Sequence, residues 1–242
     1  MKRKINIGVI GRGAWGKRVI NVLKNLSKIE FIYGRKSNYR KFNKKIKWVF
    51  VLSSNKSHYK ICKFYLENKI NVFCEKPLTL NYKQSEFLFK IASKNKCILY
   101  VDDIEVFKNK KIVLINKNFI VRKKMDQGSK ISLFERLFYH DAYLIYKKIQ
   151  KKKLRIKFYK SKILNFDMMF GKMIINFNYD INSPKKIHQI NKVNLLNFKG
   201  NPLEKMIKYV FKLKEIDLKN RDRSLFALKI MNLLKKKYRD KI

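Results

Sequence analysis

The stretch Ile5-Asn6-Ile7-Gly8-Val9-Ile10-Gly11-Arg12-Gly13-Ala14-Trp15-Gly16 decides the fold. Its first half is a short β-branched run closed by glycine, which predicts a strand. Its second half fits the pattern GxGxxG. From Gly16 to Leu26, apolar residues recur at Val19, Ile20, Leu23 and Leu26, the spacing of one helix face. A glycine loop between a strand and a helix is the setting in which GxGxxG signifies dinucleotide binding. Gly11 permits the tight turn, Gly13 lets the backbone approach a pyrophosphate, and Gly16 lets helix and strand pack closely. The amides of Ala14, Trp15 and Gly16 open the helix, where unpaired N–H groups and a partial positive charge favour phosphate.

The same alternation continues outward. Ile29–Tyr33, Trp48–Leu52, Asn71–Cys74 and Cys97–Val101 are further short apolar runs, and Ser57–Glu67 and Asn81–Ser93 between them have helical spacing. Strand–helix alternation predicts parallel pairing with crossover helices. Beyond Asp103 the pattern changes. Ile131–Lys148 reads as a helix, whereas Leu154–Tyr159, Lys162–Met168, Lys172–Tyr179 and Lys186–Leu196 read as strands in succession, a meander typical of an antiparallel sheet. Pro202–Lys212 and Ser224–Tyr238 close the chain as amphipathic helices. The expected class is α/β. A Rossmann doubly wound parallel sheet over residues 1–103 precedes a small α+β domain over 104–242, mainly antiparallel, for substrate and oligomerisation.

With 242 residues, 46% of them hydrophobic, the chain can bury a core, which excludes disorder. No run of 18 apolar residues exists to span a bilayer. The basic and then apolar start mimics a signal peptide, but the apolar run stops at Gly11-Arg12 with no cleavage site after it. Cys62, Cys74 and Cys97 are odd in number and form no CxxC pair, which fits reduced thiols and no metal site. These features predict a cytoplasmic protein. The net charge of +43 invites a nucleic-acid reading, yet Arg supplies only 11 of the 60 basic residues, and Lys is scattered along the whole chain. A dedicated binder concentrates cations and interleaves aromatics. The charge is therefore read as compositional drift, with a polyanion-binding protein as the remote alternative.

The second strand ends at Tyr33-Gly34-Arg35-Lys36-Ser37. An NAD site usually carries an acid there for the ribose hydroxyls. None is present, and Arg35, Lys36 and the Ser37 hydroxyl suit a 2′-phosphate, so NADP is preferred over NAD. The alternative is that Arg35 and Lys36 are two more surface cations in a Lys-rich chain.

Two further motifs follow strands at the end where an open parallel sheet presents ligands: Ser53-Ser54-Asn55-Lys56-Ser57-His58 after the third, and Glu75-Lys76-Pro77 after the fourth. Together with the glycine loop they resemble the glucose–fructose oxidoreductase / inositol dehydrogenase (Gfo/Idh/MocA) family, whose pattern is GxGxxG, a TPNxxH-like turn and an EKP tripeptide. Val101-Asp102-Asp103, Tyr139-His140-Asp141 and Pro202-Leu203-Glu204-Lys205-Met206 extend the resemblance along the chain. It implies an NAD(P)-dependent oxidoreductase acting on a CH–OH group of a sugar, polyol or sugar derivative, with a homo-oligomer as the default assembly. It implies cofactor contacts at Ser53, Asn55, His58 and Glu75. Lys76, beside both nicotinamide and substrate, would be oriented by a cis bond to Pro77, and His140 would be the acid–base. Read locally, His58 also serves as a helix-opening residue. His140, among Phe138, Tyr139 and Tyr143, also reads as a half-buried structural side chain, and His188 is given no role.

The chain departs from the family in several places. Only Lys36–Lys47 stand where a helix and a short strand are usual. The glycine-rich run before the His140 helix is reduced to Gly128. Relatives carry an Asp four residues before the His, where this chain has Arg136 beside Glu135. A catalytically degenerate dinucleotide-binding protein, a sensor or a partner subunit, is therefore the second reading.

Overall fold

Alternate residues of a strand face opposite sides of its sheet, and the N-terminal strands are apolar on both. In Trp48-Val49-Phe50-Val51, Trp48 and Phe50 join one core cluster and Val49 and Val51 the other. Such a sheet is stable only with helices on both faces. The computed structural model describes residues 4–42, 45–125, 133–149 and 153–239. The strands β1 (Ile5–Ile10), β2 (Ser27–Tyr33), β3 (Trp48–Val51), β4 (Asn71–Cys74) and β5 (Leu99–Val101) form one parallel sheet in the order β2-β1-β3-β4-β5. α1 (Ala14–Leu26) lies on one face through Val19, Ile20 and Leu23. α2 (Asn55–Glu67) and α3 (Tyr82–Lys94) cover the other through Ile61, Cys62, Tyr65, Leu66, Leu88, Phe89 and Ala92. The expected Rossmann sheet is present, and no helix occurs between β2 and β3 among the described residues.

The chain divides into two compact units, Met1–Phe107 with Asn201–Leu228, and Lys108–Gly200 with Lys229–Ile242. The linear cut at 103 thus differs from the observed partition in its C-terminal part. α5 (Pro202–Lys212) sends Leu203, Met206, Ile207 and Val210 into the cluster that α1 occupies. An amphipathic stripe specifies that a helix must be covered, but not which sheet covers it.

The first residues of α6 (Leu218–Arg239) close the sheet edge at β5. The fully buried Asn220 accepts from the Val101 N–H at 2.9 Å and donates to the Val101 carbonyl at 2.7 Å. Its amide thereby takes the place of a neighbouring strand. Arg223 adds a 3.0 Å ion pair to Asp103, which also accepts from Tyr100 Oη at 2.6 Å. Burial pushes the Asp103 carboxyl up to about 6, with Arg223 and Tyr100 opposing. Asn220→Ala strands a buried N–H and a buried carbonyl, and should cost about 2–4 kcal/mol in urea unfolding.

The second unit holds a six-stranded sheet of β6 (Lys117–Met125), β7 (Leu154–Phe158), β8 (Leu164–Phe170), β9 (Met173–Asp180), β10 (Asn182–Ile190) and β11 (Val193–Asn194), in the order β11-β10-β6-β9-β8-β7. All pairs are antiparallel except β6 with β9. The predicted meander is present, but β6 is additional. Lys117, Arg122, Lys123 and Lys124 within nine residues conceal it from a hydropathy reading. The expected strand Lys186–Leu196 instead begins at Asn182 and turns at Asn191 (φ 51°) into β11. Pro184 sits inside the register irregularity between Asn182 and Ile187, where a proline costs no ladder bond. One sheet face buries Phe166, Phe177 and Tyr179, with Phe166 and Phe177 stacked at 4.7 Å. The helix expected over 131–148 is described from Leu133 as a π-helical turn, Phe134–Phe138, running into α4 (Tyr139–Ile149). Its first residues and Gly128 lie outside the described residues. No described helix is long and apolar enough to cross a membrane.

Candidate dinucleotide site

Four backbone bonds extend the parallel ladder one residue past the strands. Gly11 N–H donates to Tyr33 O at 2.8 Å, Leu52 to Ile10 at 2.7 Å, Glu75 to Val51 at 2.9 Å and Asp102 to Cys74 at 2.9 Å. Gly11, Leu52, Glu75 and Asp102 therefore stand in a row along the carboxyl edge of the sheet. β1 and β3 are neighbours there, with the chain order reversing between them, the point where such sheets bind ligands.

The glycine loop fits a pyrophosphate. Gly11 has φ 107°, and a Cβ on it would lie 2.3 Å from the Leu52 carbonyl oxygen, so only glycine makes this turn. A Cβ on Gly16 would lie 2.7 Å from the Gly11 carbonyl oxygen. Gly13 N-caps α1 without a side-chain bond, and a Cβ there would meet nothing within 4 Å. The first turn of α1 carries no acid. Its leading amides, from Ala14 onward, are those a helix leaves without intrahelical partners. Trp15 Nε1 beside them is buried without a hydrogen-bond partner among the described residues. A glycine turn at a helix N-terminus and an orphaned donor beside it fit a phosphate-bearing ligand.

At the end of β2, Arg35, Lys36 and Ser37 are exposed. Ser37 Oγ accepts from Gly34 N–H at 3.1 Å, which closes the turn, and Arg12 Nε lies 3.2 Å from where a Gly34 Cβ would be. Arg12, not foreseen as a site residue, adds a third cation to this corner.

The second motif opens α2. Ser54 N-caps it without a side-chain bond, Ser53 Oγ and Ser57 Oγ are 2.8 Å apart, and Asn55 is its half-buried first residue. His58 lies beneath this turn. Its ring is fully buried, with Nδ1 2.9 Å from the Pro77 carbonyl oxygen and Nε2 3.0 Å from that of Ser53. Burial lowers its pKa, against the raising effect of the carbonyls, so the ring is neutral and donates to one of the two. A ring so enclosed ties the β3 turn to the β4 turn.

The third motif follows β4. The Lys76–Pro77 bond is cis, as the resemblance implied, and Glu75 and Lys76 are half-buried. Asp102, next along the edge, is buried and pushed well above the usual carboxylate range by burial first, then by the charge and hydrogen bond of Glu75. In the sequence, Asp102 stands out only as part of Val101-Asp102-Asp103. Its partner became apparent through the register Cys74↔Val101.

His140 belongs to the second unit, at the start of α4, half-buried. The π turn before it carries Arg136, and the neighbouring Glu135 is engaged by Lys235 at 2.5 Å. Asp141 is fully buried in a network the sequence did not reveal. It accepts from Arg122 Nε at 3.1 Å and Tyr179 Oη at 2.7 Å, and its Oδ1 lies 2.8 Å from His188 Nε2. Arg122 Nη2 is 3.2 Å from His188 Nδ1. Because arginine only donates, Nδ1 accepts and Nε2–H donates to Asp141. Burial would raise the Asp141 carboxyl, but Arg122, His188 and Tyr179 together hold it below the usual range.

The sheet order and the glycine turn define a Rossmann-type unit. Residues 33–103 match the profile of the GFO_IDH_MocA family, described as an oxidoreductase family with an NAD-binding Rossmann fold. Among solved structures, the chain is similar to UDP-N-acetylglucosamine 3-dehydrogenase GnnA from Acidithiobacillus ferrooxidans, at 12% identity over 96% of this chain and 97% of that one (TM-score 0.81). The dehydrogenase MviM from Clostridium difficile matches at 16% identity over 96% and 99% (TM-score 0.79). The WlbA (WbpB) dehydrogenase from Thermus thermophilus, solved with NAD and UDP-GlcNAcA, matches at 11% over 95% and 94% (TM-score 0.72). These likenesses are of fold. No curated protein matches by sequence.

Proposed function

We propose that the chain is an NAD(P)-dependent oxidoreductase acting on a secondary alcohol or ketone of a sugar, polyol or sugar derivative. The observation that carries this reading is the row along one sheet edge: a glycine turn that admits no side chain at Gly11, then the Ser53–His58 turn, then a cis Lys76–Pro77. Gly11, Gly13 and the amides from Ala14 to Gly16 would hold the pyrophosphate, and Ser53, Asn55 and Glu75 the neighbouring ribose. Arg35, with Arg12 and Lys36 beside it, supports a 2′-phosphate and hence NADP. A nicotinamide dinucleotide supplies the hydride acceptor or donor. Lys76 Nζ donates to the substrate oxygen and orients the reacting carbon. His140 takes the hydroxyl proton as hydride leaves, or returns it in the reverse direction. The names of GnnA and of the WlbA complex make nucleotide sugars the first substrates to try. The strong positive charge suits their diphosphate.

The test is a screen of nucleotide sugars, polyols and free sugars for absorbance change at the reduced nicotinamide band. Turnover should appear with one class and fall about 10²–10⁴-fold in Lys76→Ala. Turnover indifferent to Lys76 would refute the role. Arg136, four residues before His140, favours a second reading, a dinucleotide-binding protein without turnover. It predicts cofactor binding and no activity on any alcohol.

A further inference from the structure

Arg12 and Gly34 stand at the ends of neighbouring strands and fit one another. Gly11 N–H donates to Tyr33 O at 2.8 Å, so the residues that follow, Arg12 and Gly34, leave the β1 and β2 ends side by side. Ser37 closes the turn on Gly34 by accepting from its N–H at 3.1 Å. A Cβ on Gly34 would stand 3.2 Å from Arg12 Nε and 3.6 Å from both Cζ and Nη2. These distances set Gly34 against the flat side of the guanidinium, not its N–H edge, and Arg12 is exposed. Gly34 has no positive φ, so its backbone conformation does not require glycine. The room that Arg12 takes does require it.

The charge at this corner has one sign. Glu30 is the only acidic residue in the sequence from Met1 to Leu66, and Lys28 lies 3.0 Å from it. An acid at the end of β2 would bind ribose hydroxyls, whereas a cation there accommodates a 2′-phosphate. The kind of cation matters as well. A guanidinium is a rigid planar fork that matches two phosphate oxygens at once, and an ammonium is a point charge on a flexible stem. Arg35 and Lys36 are exposed residues of the turn itself. Arg12 is the cation whose guanidinium is packed against the β2 end.

We infer that Arg12, seated by Gly34, is the residue that selects NADP(H) over NAD(H), its N–H edge forking the 2′-phosphate while Arg35 adds only charge. This assignment rests on the proposed reading of the glycine loop as a dinucleotide site. Gly34 is then a positioning residue, acting through the space it leaves for Arg12.

Calorimetric titration of the intact chain with NADPH and NADH tests the assignment. Wild type should bind NADPH at least about tenfold more tightly than NADH. Arg12→Gln should weaken NADPH about 10–100-fold, the loss of charge-assisted bonds to one phosphate, and leave NADH within about twofold. Arg35→Gln should weaken NADPH less than Arg12→Gln does. Gly34→Val, whose side chain takes the seat of the guanidinium, should lower the preference for NADPH with Arg12 still present. Adenosine 2′,5′-bisphosphate and its 3′,5′ isomer carry the same charge, so attraction to a basic surface does not separate them. Wild type should prefer the 2′,5′ form, and Arg12→Gln should not. Equal affinity for the two isomers in wild type overturns the assignment, as does an Arg12→Gln protein that weakens both dinucleotides alike. A greater loss of NADPH in Arg35→Gln than in Arg12→Gln overturns it too. Equal binding of NADPH and NADH by wild type overturns the assignment alone, whereas failure to bind either overturns the dinucleotide reading and the assignment with it.

Discussion

Asp141→Ala should cost the second unit about 3–5 kcal/mol, the expected loss when one member of a buried ion pair is removed. The Asp141 side chain is fully enclosed, and that of Arg122 is only 11% exposed. Without the carboxylate, Arg122 keeps a buried charge with less to balance it, and Tyr179 Oη and His188 Nε2 lose their acceptor. The three donors come from β6, β9 and β10, so one residue ties the start of α4 to three strands. Chemical denaturation followed by circular dichroism measures the effect. The pH dependence has a definite sign. The Asp141 carboxyl is held below its unfolded value, so its contribution is fully present above the ordinary carboxylate range and is lost as pH falls through the folded value. Wild type should therefore lose stability in acid more steeply than Asp141→Asn. Equal slopes would show that the network carries no net charge coupling.

Gly13→Asp should leave the protein folded and abolish dinucleotide binding. Gly13 has φ −66° and ψ −177°, an extended conformation open to any residue, and a Cβ there meets nothing within 4 Å. Aspartate is a preferred helix N-cap, and α1 has no side-chain cap, so stability should hold or rise by a few tenths of a kcal/mol. The same carboxylate would occupy the helix N-terminus intended for a pyrophosphate and repel it. Gly11→Ala is a poorer probe, because a Cβ there collides with the Leu52 backbone and confounds folding with binding.

The sequence made the parallel sheet legible because each strand is a short apolar run and each breaker is rare. Gly11 and Pro77 stand where the observed backbone needs a positive φ and a cis bond. What stayed hidden depended on partners distant in the chain. β6 is central in its sheet yet carries four cations in nine residues, so its pairing with β9 and β10 outweighs its composition. α5 announces an apolar stripe but not the sheet it returns to. His188 and Asp141 lie 47 residues apart, and the pairing of β10 with β6 sets His188 opposite Arg122, the other partner of Asp141. His58 matched a cofactor-site pattern, but its position between two carbonyls depends on the turn at Pro77, which its own neighbours do not specify.

Titration of the purified protein with NADPH and NADH, followed by nicotinamide fluorescence, bears most directly on the dinucleotide site. Wild type should bind with a micromolar dissociation constant, NADPH more tightly than NADH, and Gly13→Asp should lose binding at least about a hundredfold while melting no lower. Failure of wild type to bind either nucleotide up to millimolar concentration would contradict it.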